Sequence, residues 1–218
     1  FLKASPTWYA SSKVFGDVAL RDPALWPIYE TYADSILYPS PNIDAHTGRS
    51  DTLLSRIEMF NFYGWQDFGD APLDYEPTEE FRRAGHFNLK YQFSYAMWLQ
   101  FARSGDMAWV RLAERANKHL ADIDIFHTPR SGPSHWIHGG YFGHSYHGEP
   151  GNLNPNRNYG LTTYDLCYGV PGMITLYYLR GLPQMLETAL ELMEYQINIW
   201  NLFGLPEDYN TRGAQSYI

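Results

Sequence analysis

The chain has 218 residues, of which 44% are hydrophobic, 18% charged and 17% aromatic. This length is enough for one sizeable core, so a single domain is expected. With 16 Lys and Arg against 24 Asp and Glu, the net charge is -8, which argues against a nucleic-acid or anionic-membrane partner because either would need a basic stripe. A lone cysteine, Cys167, excludes a disulfide framework and a cysteine-based zinc site. The surplus of aromatic residues predicts a surface on which a ligand stacks.

The first predicted element is a helical hairpin at the front of the chain. It pairs WYASSKVFGDVAL with RDPALWPIYETYADSIL. The second segment aligns with the later GDMAWVRLAERANKHL when Asp22 is placed on Asp106. This hairpin is a less regular copy of the two that follow.

A long loop over residues 38–87 contains SRIEMFNFYGWQDFGDAPLDYEP. Apolar and polar residues alternate around Tyr63 and Gly64, which predicts a small β-hairpin laid over the helix ends. The aspartates of this loop could act as a carboxylate pair in a glycoside hydrolase, could gather oxygens for Ca²⁺, or could simply satisfy the backbone of a turn. They are Asp67, Asp70 and Asp74.

Two regular hairpins follow, over residues 88–126 and 161–200. The first begins after a capping Asn88 and breaks at SGD, and the second breaks at GLP, with a kink or interruption expected at GVPG. Their matched residues are each 76 positions apart: Gly105 and Gly181, Ala113 and Ala189, Ile123 and Ile199. Trp98 and Trp109 fall at core spacing, so they are predicted to be packing residues.

The predicted fold class is all-α, an arc of three helical hairpins resembling an α/α toroid, because each hairpin buries its apolar face only against its neighbours. Such an arc leaves an apolar edge at each end, so we expect self-association or further covalent domains. The loops over residues 38–87 and 127–160 each join one hairpin to the next, and both are expected on one face of the arc, where the site should lie.

The second long loop holds the densest chemical motif, SHWIHGGYFGHSYHGEPGNLNPNRNYG. Its four histidines are His135, His138, His144 and His147. They could transfer protons, bind Zn²⁺ without the helical HExxH spacing, or belong to an ordinary polar loop. No phosphate-binding glycine motif is present, so no nucleotide cofactor is predicted.

Four segments carry a family resemblance: SPTWYASSKVFG, FYGWQDFGD, FNLKYQFSYAMWLQFARSGD, and YGLTTYDLCYGVPGMITLYYLRG after the histidine-rich loop. Together they resemble the α/α-toroid domain of exo-rhamnogalacturonan lyase-like polysaccharide lyases. In that family the toroid is one part of a longer protein. The resemblance therefore implies that residues 1–218 form one domain of a longer carbohydrate-active enzyme, and it favours an extracellular or periplasmic location.

Cleavage of a uronate polysaccharide by β-elimination needs a base for the C5 proton, a group that neutralises the carboxylate, and an acid for the departing C4 oxygen. Histidine, tyrosine, arginine and asparagine can fill these roles, and the histidine-rich loop contains all four residue types. His144 or His147 is predicted as the base, with Tyr146 or Tyr159 as the proton donor. Arg157 and Asn158 are predicted at the carboxylate.

Substrate-binding residues are predicted mainly in the two loops, where aromatic faces can stack on pyranose rings. They are Trp65, Asp67, Asp70, Trp136, His138, Tyr141 and Asn158, with Tyr63 and Trp8 as further stacking candidates. Two other functions stay open. A glycoside hydrolase would use Asp67, Asp70 or Glu149, and a noncatalytic glycan-binding or assembly-forming repeat would use only the aromatics.

Overall fold

The computed structural model describes residues 4–39, 52–59, 61–64, 68–71, 92–127, 138–140 and 169–203. These residues are mostly helical and contain no strand. The helices are α1 (Pro6–Ser12), α2 (Pro27–Ser35), α3 (Leu53–Met59), α4 (Phe93–Ser104), α5 (Met107–His119), α6 (Val170–Arg180) and α7 (Pro183–Phe203). A π-helical turn, Leu120–Asp124, continues α5 and is called the π turn below. The all-α prediction is confirmed for this part of the chain.

Helices α4 and α5 form the first regular hairpin. Gly105 ends α4 in the left-handed conformation, with φ 73°, and its N–H donates to the carbonyl of Phe101 at 2.7 Å. Asp106 then caps α5, because its side chain accepts the N–H of Ala108 at 2.8 Å. The SGD segment is therefore a C-cap followed directly by an N-cap, which makes a short connection.

Helices α6 and α7 repeat this hairpin. Gly181 ends α6 with φ 65°, and its N–H donates to the carbonyl of Tyr177 at 2.7 Å. Both of these residues lie 76 positions after their counterparts in the first hairpin, and so do the first residues of α5 and α7. The predicted pair of helical hairpins is confirmed in its described part. Pro171 lies in the first turn of α6, where a proline fits, so the GVPG segment marks a helix start.

The two hairpins pack closely through Gly172 of α6. A Cβ at this position would lie 2.3 Å from Ser94 Oγ of α4 and 2.6 Å from Asn117 Oδ1 of α5. Trp98 and Trp109 are buried in the same core, 0% and 2% exposed, which confirms their predicted packing role. The hydrophobic core therefore runs continuously through both hairpins.

The front of the chain departs from the predicted third hairpin. Helix α1 ends at Ser12 because Lys13 takes the left-handed conformation, φ 56°, so the helix does not extend through VFGDVAL. Asp22 accepts the N–H groups of Ala24 and Leu25 at 3.0 Å each, as a cap would, but α2 begins only at Pro27. Both helices are short, and the toroidal arrangement stays a prediction.

A buried ion pair joins the front of the chain to the first hairpin. Arg103 of α4 bonds the carboxylate of Glu30 of α2, and these side chains are 9% and 2% exposed. Arg103 Nε also donates to the carbonyl of Ala19 at 2.8 Å. Helix α1 contacts α4 directly, with the rings of Tyr9 and Phe101 5.5 Å apart. The front segments are therefore attached to α4.

The described part of residues 52–71 contains a helix and turns, and no strand. Helix α3 covers LLSRIEM, with Leu53 and Ile57 buried at helical spacing. Tyr63 and Gly64, the centre of the predicted β-hairpin, lie in a turn. The apolar spacing of four residues places one face of α3 on the core, which explains why this segment is helical and not extended. The β-hairpin is not found among the described residues, and the rest of that segment lies outside them.

Candidate functional site

A buried cluster of two carboxylates and one imidazole lies at the C-terminal end of α5. Its members are Asp70, His119 and Asp124. His119 Nε2 lies 3.4 Å from Asp70 Oδ2 and 3.3 Å from Asp124 Oδ1, and all three side chains are 0% exposed. One ligand atom from each residue lies within 4.8 Å of the others, so the three groups could hold a metal ion.

The π turn explains how two members of the cluster meet. In an α-helix, side chains five residues apart point roughly 140° away from one another. The π turn over Leu120–Asp124 closes its bonds five residues apart and so widens the helix. Asp124 is thereby brought to the side of His119, while Leu120 and Ala121 stay in the core.

The third member comes from the first long loop, through residues 68–70, called the FGD turn below. Gly69 has φ 110°, and a Cβ there would lie 2.4 Å from the carbonyl oxygen of Arg115 and 2.6 Å from His119 Cβ. Only glycine fits this position without a shift of the α5 backbone. The backbone of Gly69 thus rests directly on α5, and the next side chain, Asp70, enters the cluster.

The second long loop is anchored in the same way by residues 138–140, called the HGG turn below. Gly139 has φ 74°, and its Cβ would lie 2.2 Å from the carbonyl oxygen of Glu191 and 3.1 Å from Tyr195 Cβ of α7. Glu191 and Tyr195 lie 76 positions after Arg115 and His119, the contacts of Gly69. The repeat therefore includes a loop glycine docked at the equivalent place on each hairpin.

Hydrogen bonding orients the imidazole of His119. Its Nδ1 lies 3.0 Å from the carbonyl oxygen of Phe68, which can only accept, so Nδ1 carries a hydrogen. Burial alone would lower the pKa of His119. The charges of Asp124 and Asp70, with the hydrogen bonds to Asp124 and Phe68, outweigh burial and raise the pKa to about 9. Without a metal ion, the ring is an imidazolium between two carboxylates at neutral pH.

Arg115, one turn before His119, lies under the first loop. Its guanidinium carbon is 4.5 Å from the Phe68 ring centre and 5.6 Å from that of Tyr63. Desolvation lowers the pKa of Arg115, and interactions with Tyr63 and Glu58 oppose this shift in part. These cation–π contacts hold the loop against α5.

A second polar group surrounds Glu191 of α7. His127 Nδ1 donates to Glu191 Oε2 at 2.7 Å, and His138 Nε2 lies 3.4 Å from Glu191 Oε1. Backbone bonds align the two chain segments: the N–H of Gly139 donates to the carbonyl of Phe126 at 2.7 Å, and the N–H of Phe126 donates to that of Gly140 at 2.9 Å. The two histidines are 43% and 40% exposed, so this group faces solvent.

Two of the predicted site residues lie in these clusters. Asp70 is in the buried cluster, where its side chain is 0% exposed. His138 is in the exposed group with Glu191. The others lie outside the described residues: Trp65, Asp67, Asp74, Trp136, Tyr141, His144, Tyr146, His147, Arg157, Asn158 and Tyr159, with His135 and Glu149. The stacking candidates Trp8 and Tyr63 are 51% and 45% exposed.

The sequence reasoning missed four polar residues that the structure brings into these groups. They are His119, Asp124, His127 and Glu191. One signal was available: HLADIDIF places two aspartates inside an apolar run, and such residues are buried only when they are paired. The spacing of the apolar residues in this segment does not indicate that the helix widens into a π turn at Leu120–Asp124.

Comparisons with known proteins give no match, neither to a family model nor to a curated protein nor to a solved structure. Among the helices of the described residues, none has the length and apolarity needed to cross a membrane.

Proposed function

We propose that this chain is a carbohydrate-active domain that cleaves an acidic, uronate-containing polysaccharide, such as rhamnogalacturonan, by β-elimination. The observation that supports the proposal best is the repeated loop anchor. Gly69 and Gly139 dock at equivalent places on α5 and α7. The FGD turn, which ends the FYGWQDFGD segment of the resemblance, and the HGG turn of the histidine-rich loop are therefore anchored at corresponding positions on the two hairpins.

The proposed roles follow from the chemistry of elimination. His144 or His147 removes the C5 proton, and Tyr146 or Tyr159 protonates the departing C4 oxygen. Arg157 and Asn158 neutralise the carboxylate, which stabilises the negative charge that develops when the proton leaves.

Substrate binding is proposed for residues next to the two anchors. Trp65 precedes the FGD turn, and Trp136 and Tyr141 flank the HGG turn in the sequence. Because Gly69 and Gly139 are anchored on the helices, the loops can position aromatic residues so that they stack on successive sugar rings of one polysaccharide chain. His138, partly exposed beside Glu191, is proposed to contact a sugar hydroxyl.

The test is digestion of a panel of acidic and neutral polysaccharides with two simultaneous readouts, the ultraviolet absorbance of unsaturated uronate and the number of new reducing ends. Elimination produces both signals in equal amounts, and only on uronate-containing substrates. New ends without absorbance would replace the proposal with a glycoside hydrolase. Binding without either signal would replace it with a noncatalytic glycan-binding domain.

A further inference from the structure

We propose that Asp70, His119 and Asp124 bind a divalent transition-metal ion, Zn²⁺ or Mn²⁺, which fastens the FGD turn to the end of α5. The proposal does not depend on the proposed lyase activity. It rests on the spacing of the three ligand atoms, the orientation of the imidazole, and the burial of the cluster.

The spacing of the ligand atoms matches that of metal ligands, and the direct hydrogen bond between His119 and Asp124 is a long one. His119 Nε2 is 3.4 Å from Asp70 Oδ2 and 3.3 Å from Asp124 Oδ1. A charge-assisted N–H···O bond is normally about 2.7–2.9 Å long, and one N–H can point at only one of these oxygens. Two ligands bound at about 2.1 Å to a tetrahedral ion lie roughly 3.4 Å apart. Both observed distances agree with that separation.

The imidazole is oriented as a metal ligand. The carbonyl oxygen of Phe68 lies 3.0 Å from Nδ1, so this nitrogen carries the hydrogen in the neutral ring. The lone pair is then on Nε2, the atom that faces both carboxylates. A histidine that binds a metal through one nitrogen commonly donates its other N–H to a carbonyl in this way.

Burial and chemistry select the kind of ion. The two carboxylates are 0% exposed, and a dication buried between them would interact favourably with the negative charge of both. Calcium prefers an all-oxygen shell of about 6–8 ligands, so the imidazole favours Zn²⁺ or Mn²⁺ over the Ca²⁺ considered from the sequence. Of the three aspartates considered there, Asp70 lies in the proposed site, and the other two lie outside the described residues.

The experiment is calorimetric titration of the chelator-treated chain with Zn²⁺, Mn²⁺ and Ca²⁺ in turn. We expect Zn²⁺ or Mn²⁺ to bind with one ion at this site, tighter than Ca²⁺, and to raise the melting temperature. Asp124→Asn should weaken this binding by at least tenfold. Asp122→Asn is the matched control, because Asp122 lies in the same π turn but is exposed, and it should bind as the unchanged chain does.

Equal affinity in the two variants, or no binding by the unchanged chain, would overturn the proposal and leave the cluster as an imidazolium ion pair. Circular dichroism checks that Asp124→Asn is folded. If it is not, hydrogen exchange of the unchanged chain decides. Added metal should slow exchange at residues 68–70 and 119–125 in particular, and protection confined to other segments would contradict the site.

Discussion

The imidazole of His119 makes the stability of the metal-free chain depend on pH. Its pKa is about 9 in the folded chain against an ordinary value of 6.5. Because the folded pKa is raised, the stabilisation is fully present below pH 6.5 and is lost as the pH rises through about 9. We expect the free energy of unfolding to fall over this interval by an amount on the order of 3 kcal/mol.

Urea unfolding between pH 6 and 9.5, with a chelator present, measures this loss. His119→Gln should remove the pH dependence of this interval. His138→Gln is the control, because this partly exposed side chain contacts Glu191 away from the cluster, and it should retain the slope. A flat profile for the unchanged chain would show that folding does not raise the pKa of His119.

The loop glycines provide a second test on single residues. Gly69→Ala and Gly139→Ala each place a Cβ within 2.4 Å of a backbone oxygen of α5 or α7, so each should lose about 2 kcal/mol or more. Gly16→Ala is the control, since Gly16 also has a positive φ, 77°, but nothing lies within 4 Å. It should lose only the strain of the left-handed backbone, about 1 kcal/mol. Equal losses in all three variants, measured by urea unfolding, would refute the close contacts.

At the scale of elements, the attachment of α2 to α4 depends on a buried charge pair. Glu30→Gln leaves the guanidinium of Arg103 buried without its carboxylate, so we expect a loss of about 3–5 kcal/mol. Asp34→Asn is the control, because Asp34 and Arg21 form an ion pair that is 36% and 37% exposed, and such pairs contribute about 1 kcal/mol or less. Thermal unfolding of the two variants measures the difference, and similar melting temperatures would contradict the importance of this pair.

The helical repeat could be predicted from sequence because its signals are local. Gly105 and Gly181 end helices, Asp106 caps one, and the apolar residues recur at helical spacing. The π turn could not be predicted, because HLADIDIF keeps the apolar pattern of a continuing helix. At its start His119 contacts Phe68 and Asp70 of a loop distant in sequence, and a local pattern does not show such contacts. Helix α3 carries a local signal of the same kind, because Leu53 and Ile57 are four positions apart, whereas the alternation that predicts a β-hairpin is centred on Tyr63 and Gly64.

The candidate site could be predicted only in part, because its residues come from segments that are distant in sequence. Asp70 was identified from a loop rich in carboxylates, but its partners belong to a helix end that looked like ordinary core packing. Burying an aspartate requires a compensating group. For Asp70 the compensating group is His119, which it reaches because Gly69 packs against α5. This contact joins residues distant in sequence, so no local pattern predicts it.

At the scale of the whole molecule, the front of the chain keeps apolar side chains in solvent. Ile28 and Tyr32 of α2 are 73% and 74% exposed, and Leu25 and Trp26 beside them are 64% and 53% exposed. A cluster of this kind is typical of an interaction surface. These exposed side chains agree with the predicted self-association. We expect sedimentation to show association that increases with protein concentration. A well-folded monomer of 25.2 kDa at all concentrations would count against it.

The most direct test of the proposed function is the initial rate of unsaturated-uronate formation by the unchanged chain and by His144→Ala, His147→Ala and the double variant. One of the single substitutions should lower the rate by roughly 10²–10⁴-fold with substrate binding largely retained, because the base acts in the transition state. The rate of the unchanged chain should rise through pH ~6.5 as the base loses its proton. His135→Ala, in the same loop, should leave the rate unchanged. Full activity in a folded double variant would contradict the assignment of a loop histidine as the base.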